Sequence, residues 1–361
     1  MASGHTILPG DVLTRAEIRA IFGGSPQGGI CPSVTKRTVV LYSDPKEAAL
    51  WGYQDGWLTE EDGLGPVYEY TGAGTKGDQT FAGGRGAGNA AILSHTQRGR
   101  TLHLFVHAGK VRGSETKTHR YVGMFAIDDE LPFVPRQGIG ADGKPRNTIV
   151  FRLRPNGKYE RTQNDALAPA PDTMASFVPR AVTIDMIQSA AVTKGTFVAP
   201  DLRRVDISAT LEAAAKGKLV RVGKVHTPEF QRAGSEETTV RQKKALLVES
   251  FAAHLESKGH SVGSFQIKVK GKTSTLRTDL FDATDHALYE AQGASDRDSA
   301  RVALGRLLDY RRYVKQPDRP DRPDAVVLLP GRPDADIEAL LRDYQASLVY
   351  RTADGAFEKA D

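Results

Sequence analysis

Along residues 1–155 the apolar positions come in short runs, at 38–42, 67–71, 101–107, 121–127 and 148–153, with glycine-containing stretches between them. Alternation with period two buries one face of a strand, and glycine supplies the backbone freedom of the turns. The pattern predicts an all-β unit, a barrel or a sandwich. Between 156 and 237 the signal weakens. Pro169, Pro171, Pro179 and Pro200 interrupt mixed segments, and one helix is expected near 201–215. This stretch reads as a connector.

From 238 onward the period changes. Leu247, Phe251 and Leu255 repeat every fourth residue, which places them on one face of a helix over 239–258, and Gly259 follows as a stop. Extended runs come next at 265–269, 276–281 and 287–290. Ser295 is a candidate cap for a helix carrying Ala300, Leu304, Leu307 and Leu308 and reaching Val314. A buried strand is expected at 325–329, a helix at 334–345 and a strand at 348–351. This order suits a central mixed sheet flanked by helices. The expected organisation is therefore α+β and multidomain: 1–155, a connector 156–237, and 238–361.

Length agrees, since 361 residues exceed the roughly 100–200 that one core usually serves. With 39% apolar and 26% charged residues the chain can bury real cores. No run reaches the roughly 18 apolar residues of a membrane span, and the N-terminus lacks the apolar stretch of a signal peptide, so a cytoplasmic protein is expected. Cys31 is the only cysteine, which excludes an intramolecular disulfide and argues against a thiolate zinc site.

A net charge of +5 favours a polyanionic partner, and its distribution says more. Between 96 and 120 stand Arg98, Arg100, Lys110, Arg112, Lys117 and Arg120 against the single acid Glu115. Between 257 and 278 stand Lys258, Lys268, Lys270, Lys272 and Arg277 with no acid. Either cluster alone reads equally as a solvated face. Two of them beside the motifs below point to DNA phosphates.

The C-terminal chemistry rests on Asp279 in LRTDLFD and on Glu290 and Gln292 in LYEAQG. Residues two apart on a strand face the same way, so Glu290 and Gln292 project together, and a hairpin turn near Thr284 and Asp285 returns Asp279 beside them. Converging carboxylates can hold Mg2+ (Mn2+ being the alternative), which takes oxygen ligands from one or two acids together with phosphate and water. Asp282 has the opposite strand parity and is assigned to the turn. Glu249, on the preceding helix, reads either as a surface charge or as a further metal ligand.

This stretch, from about Gln242 to Tyr350, resembles the PD-(D/E)xK nuclease superfamily, whose signature is an acid, a gap of about ten residues, then Glu-x-Lys on a paired strand. Asp279 and Glu290 match the two acids, and RVALGRLLDYRRY (301–313) resembles the helix packed behind the site. Gln292 departs from the pattern, because it stands where the family usually has lysine and cannot supply the cation. The resemblance implies a metal-dependent deoxyribonuclease, and Gln292 keeps open a binding-only domain.

In the N-terminal part four fragments occur in order: FGGSPQGGI (22–30), GYQDGW (52–57), VYEYTGAGTKGDQTF (67–81) and GAGNAAILSH (86–95). Together they resemble SRA-type (YDG) domains, especially the bacterial forms fused to nucleases. The resemblance implies a PUA-like β-barrel that grips duplex DNA and rotates a modified cytosine into a pocket, with Tyr70 as a stacking face and Asp78 as an acceptor for an exocyclic amine. Tyr70 reads equally as a barrel-core residue, and Asn89 as a turn residue. Gly72, Gly74 and Gly77 form a GxGxxG string, but the following DQTFAGGRGAGN is not expected to open a helix, which argues against a dinucleotide site. His103 and His107 lack a third ligand at suitable spacing and read as ordinary strand residues. Joined, the two resemblances imply a type IV modification-dependent restriction enzyme. With one candidate site per chain, a homodimer is the simplest route to double-strand cleavage.

Overall fold

The computed structural model describes residues 7–45, 53–61, 64–128, 131–183, 186, 235–316 and 318–360. The helix expected near 201–215, and with it most of the connector, lies outside them. The chain divides into two compact units: Met1–Pro171 with Val182–Ala199 and Lys270–Ser274, and Asp172–Ala181 with Pro200–Val269 and Thr275–Asp361. No helix among the described residues is long and apolar enough to cross a membrane.

Unit 1 is built on a nine-stranded mixed sheet of β1 (Val12–Thr14), β2 (Ile30–Ser33), β3 (Thr38–Ser43), β4 (Gly56–Trp57), β5 (Tyr68–Thr71), β6 (Thr101–Lys110), β7 (Lys117–Ile127), β8 (Phe133–Ile139) and β9 (Pro145–Tyr159). The main path runs β2-β3-β6-β7-β9-β5-β4, with β1 on β7 and β8 on β9. β3 and β6 are parallel and the other pairs antiparallel. Among the described residues no ladder joins the two ends of this path, β2 and β4. Alternation sends Val39 and Leu41, Leu102 and Leu104, and Ile149, Phe151 and Leu153 into one core with Trp57 and Phe125.

Among the described residues, two helices pack on this sheet. α1 (Arg15–Phe22) starts at a capping box in which Thr14 and Glu17 satisfy each other's backbone N–H, and it buries Ile18 and Phe22 against Val40, Phe105 and Tyr121. α2 (Gly83–Leu93) lies within the stretch that was not expected to form a helix. Its glycines are poor helix formers, but burial of Ala91, Ile92 and Leu93 in the main core overrides that preference. Gly86 must be glycine, since a Cβ there would meet the Phe81 carbonyl carbon at 2.3 Å.

Unit 2 is an α/β/α sandwich. Its mixed sheet contains β10 (Met174–Pro179), β11 (Val262–Lys268), β12 (Thr275–Arg277), β13 (Leu280–Asp282), β14 (Ala287–Ala291), β15 (Asp324–Leu329), β16 (Ala346–Arg351) and β17 (Phe357–Ala360), in the order β10-β11-β13-β14-β15-β16-β17 with β12 on β11. The β14–β15 and β15–β16 pairs are parallel. β10 corrects the connector boundary: Met174–Pro179 pairs with β11 over its whole length. α3 (Ser235–Ser257) covers one face with Leu247, Phe251 and Leu255, the stripe expected from their spacing. α4 (Arg297–Tyr310) and α5 (Ala335–Asp343) cover the other through Ala303, Leu307, Ile337 and Leu341. Ser295 does not cap α4. Asp296 accepts from Ser299 N at 2.9 Å, while the Ser295 hydroxyl donates to the Gly331 carbonyl at 2.8 Å.

Candidate functional site

The run 276–281 is broken where it matters. β12 pairs Arg277 with Gln266, β13 pairs Phe281 with Gly263, and the register advances by one residue between them. The extra residue is a bulge at Thr278 and Asp279, and such irregularities re-aim a side chain. Leu280 faces Tyr289, so Asp279 comes opposite Glu290 at the next position. Asp279 Oδ2 accepts from Ala291 N at 2.9 Å. The two acids expected to converge do so, and both bind one cation: Lys244 Nζ of α3 lies 2.7 Å from Asp279 Oδ2 and 3.2 Å from Glu290 Oε1. Arg306 of α4 donates to Glu290 Oε1 at 2.8 Å. Helices on opposite faces of the sheet thus each send a cation to the same end of β14.

Glu290 is 1% exposed, and burial together with the neighbouring Asp279 carboxylate pushes its pKa upward, against the pull of Lys244 and Arg306. Arg277 has its pKa lowered by burial, opposed by Asp279 and Glu249. Gln292 N donates to the Leu328 carbonyl, but its side-chain Nε2 is buried without a hydrogen-bond partner among the described residues. A buried amide in that condition is costly unless something else occupies the site. The donor set of two carboxylates sharing one ammonium fits a hard divalent cation completed by water and phosphate.

The other acids are engaged elsewhere. Glu249 Oε2 accepts from Arg180 Nη2 at 2.5 Å, tying α3 to the end of β10, and Glu249 acts together with Asp279 on the buried Arg277. Asp282 is fully buried and takes the turn role expected of it, accepting from Thr284 N at 2.9 Å and from Asp285 N at 3.3 Å. His260 Nδ1 lies 2.5 Å from its other oxygen. Lys268 is half-buried, and Lys270 and Lys272 are exposed.

In unit 1 the two residues expected in a base pocket are both tied into the fold. Tyr70 is buried, and its hydroxyl donates to the Gly29 carbonyl at 2.9 Å, with the Tyr42 carbonyl at 3.3 Å. Asp78 is exposed and clamps β9, accepting from Asn147 N at 2.7 Å and from Asn147 Nδ2 at 3.0 Å. Asn89 is no surface turn residue. Fully buried on α2, it accepts from Ala73 N and donates to the Ala73 and Thr80 carbonyls, holding the glycine-rich loop. Asp55, in GYQDGW, is the acid sequence reasoning missed. It is buried, accepts from Thr71 N at 2.8 Å and Ser43 Oγ at 3.1 Å, and burial pushes its pKa up to about 6.

Residues 9–168 match the family model for the ScoMcrA-like SRA domain. The N-terminal unit carries an SRA domain. No curated protein matches the chain. Among solved structures, the sulfur-binding and SRA domains of ScoMcrA complexed with phosphorothioated DNA are 24% identical, covering 43% of this chain and 42% of that one, with a TM-score of 0.31. The chain therefore spans about two fifths of that relative. The DNA modification-dependent restriction endonuclease AspBHI is 12% identical over 93% of this chain and 84% of its own, with a TM-score of 0.28. The MspJI restriction endonuclease in complex with a 27-mer oligonucleotide is 11% identical over 95% and 87%, with a TM-score of 0.31.

Within the SRA domain the basic stretch is not uniform. Arg98 and Arg112 are exposed and Arg100 is half-buried. Lys110 pairs with Glu115, and Lys117 lies 3.3 Å from Asp44. Arg120 is removed from the candidate phosphate contacts: its guanidinium pairs with Glu160 and Asp165, and its side chain is 16% exposed. Expected from charge alone to face DNA, it instead neutralises two acids brought to it by the end of β9 and the turn beyond. The GxGxxG string leads into a helix after all, but α2 begins six residues past Gly77 and not at the glycines, so it is no dinucleotide cradle. His103 is hydrogen-bonded at both ring nitrogens, to Thr101 Oγ1 at 2.8 Å and Tyr121 Oη at 2.9 Å, and burial pushes its pKa down to about 4.

Proposed function

We propose that this chain is a modification-dependent deoxyribonuclease, in which the SRA domain reads a modified base in duplex DNA and the C-terminal unit, a PD-(D/E)xK nuclease domain, hydrolyses the backbone with Mg2+. The observation that carries the nuclease half is the convergence of Asp279 and Glu290 on a single ammonium. Two acids from different strands of a sandwich do not gather on one cation by local sequence preference. Mg2+ bound there would polarise a phosphoryl oxygen and lower the pKa of a bound water. Arg306 holds Glu290 in place, and the Ala291 amide orients Asp279.

For the SRA half, inspection of a whole base requires unstacking it, at a cost of a few kcal/mol recovered by stacking and by hydrogen bonds to the base edge. Asp55 suits the second task better than Asp78. It is a buried, dehydrated carboxylate, whereas Asp78 is exposed; each oxygen of either acid already accepts one hydrogen bond, from Thr71 N and Ser43 Oγ in Asp55 and from Asn147 in Asp78. A modified cytosine presents an exocyclic amine that such a carboxylate accepts. Arg98, Arg100 and Arg112 would hold phosphates, which position the duplex without reading it.

Gln292 supports a second reading, a DNA reader without cleavage. One experiment separates the two: the full chain is incubated with Mg2+ or Mn2+ and with plasmids that carry or lack modified cytosine. Cleavage of the modified plasmid alone is the expected result, and Asp279→Ala or Glu290→Ala should abolish it while modified-DNA binding persists. Preferential binding without cleavage in either metal would leave the reader, and cleavage surviving both substitutions would remove the site assignment.

A further inference from the structure

We infer that Lys244 is the cation of the acid pair, brought from helix α3 into the role that Gln292 cannot fill on its strand. The inference rests on the nuclease reading above and names the residue that reading lacks. Its first support is distance, since Lys244 Nζ lies within 3.2 Å of carboxylate oxygens from both Asp279 and Glu290. Its second is how α3 reaches that point. Gly293, next to Gln292, lies so close to α3 that a Cβ there would meet the Val240 carbonyl oxygen at 1.9 Å. Val240 is one helical turn before Lys244, so this close approach docks the turn that carries the ammonium against the end of β14. The third is pattern: Lys244 continues the stripe of Leu247, Phe251 and Leu255 by one turn, so it points to the sheet and not to solvent, with its side chain 22% exposed.

Arg306 does not compete for the role. Among the described residues its hydrogen bond is to Glu290 and not to Asp279, and its side chain is 47% exposed. In hydrolysis the bond formed joins the water oxygen to phosphorus and the bond broken joins phosphorus to the leaving sugar oxygen; the attacking water gives up a proton to solvent and the leaving oxygen takes one from solvent. Lys244 transfers no proton in this step; it stabilises the negative charge that gathers on the phosphoryl oxygens. Asp279 and Glu290 would hold a metal, and the flexible lysine stem would then let Nζ leave the carboxylates and reach the phosphate. The same ammonium therefore competes with the metal in the absence of DNA.

The test uses the full chain as Lys244→Met, Gln292→Lys and the double variant, with two readouts. For cleavage of modified DNA, Lys244→Met should lose at least about 100-fold, the size common for removing one electrostatic stabiliser. The double variant should regain most of that, because the ammonium returns from the strand. For Mn2+ binding followed by electron paramagnetic resonance without DNA, Lys244→Met should tighten affinity several-fold by removing a competitor, whereas Glu290→Gln should weaken it. Wild-type-like cleavage by Lys244→Met overturns the inference and leaves the nuclease reading standing. An inert wild type whose Mn2+ affinity still rises on Lys244→Met overturns the nuclease reading and keeps Lys244 at the acid pair. Unchanged Mn2+ affinity overturns the placement of Lys244 whatever the cleavage result.

Discussion

Replacing Asp55 by asparagine should stabilise the SRA domain at neutral pH while weakening its choice of modified DNA. Burial raises the folded-state pKa of Asp55 from 3.8 to about 6. Below about pH 4 both the folded and the unfolded chain hold the proton, and the group makes no difference. Between about 4 and 6 the unfolded chain releases its proton first, so stability falls as pH rises through that window. Above 6 the loss levels off, and at about 1.4 kcal/mol per pKa unit it amounts to about 3 kcal/mol. Asparagine stays neutral at every pH, still accepts from Thr71 N, and presents its amide to Ser43 Oγ. The variant should therefore match the wild type near pH 4 and exceed it by up to about 3 kcal/mol near pH 8. The assay is built into the chain: both tryptophans, Trp51 and Trp57, belong to unit 1, so urea unfolding followed by tryptophan fluorescence reports that unit alone. A stability difference equal at pH 4.5 and pH 8, or a loss at both, would refute the reasoning. A gain in stability with unchanged preference for modified DNA would refute the reading role and spare the electrostatics.

Asn89→Ala should cost unit 1 about 3 kcal/mol in the same assay, because Ala73 N and two carbonyls lose a fully buried partner. Arg120→Ala should destabilise the unit and leave the salt dependence of DNA binding unchanged, while exposed Arg112→Ala should do the reverse, lowering the log–log salt slope by about one; titrations at several salt concentrations distinguish them. Double-strand cleavage should require two copies of the chain, each with one acid pair, so its rate per enzyme on a one-site substrate should rise with protein concentration and not stay flat through binding saturation.

What was legible before any coordinates were local periods and one short-range pairing. The stripe of Leu247, Phe251 and Leu255 and the alternating runs of the N-terminal strands follow from backbone geometry that repeats every 3.6 or 2 residues. Asp279 and Glu290 could be joined because a hairpin connects them within a dozen residues, and the Thr14 and Glu17 capping box was equally readable although it was passed over. Lys244 carried a weak signal, as a lysine continuing an apolar stripe, but only the packing of α3 against Gly293 sets it on the acids. Tertiary structure alone decided that Arg120 is spent on Glu160 and Asp165, that Asp78 and Tyr70 serve the fold, that Met174–Pro179 belongs to the second sheet, and that α2 forms despite its glycines. In each case a partner distant in sequence decides, by supplying a charge, a hydrogen bond or an apolar surface that outweighs local preferences of up to about 1 kcal/mol per residue. A sequence fixes which surfaces and charges are available; the packing of remote segments determines which of them meet.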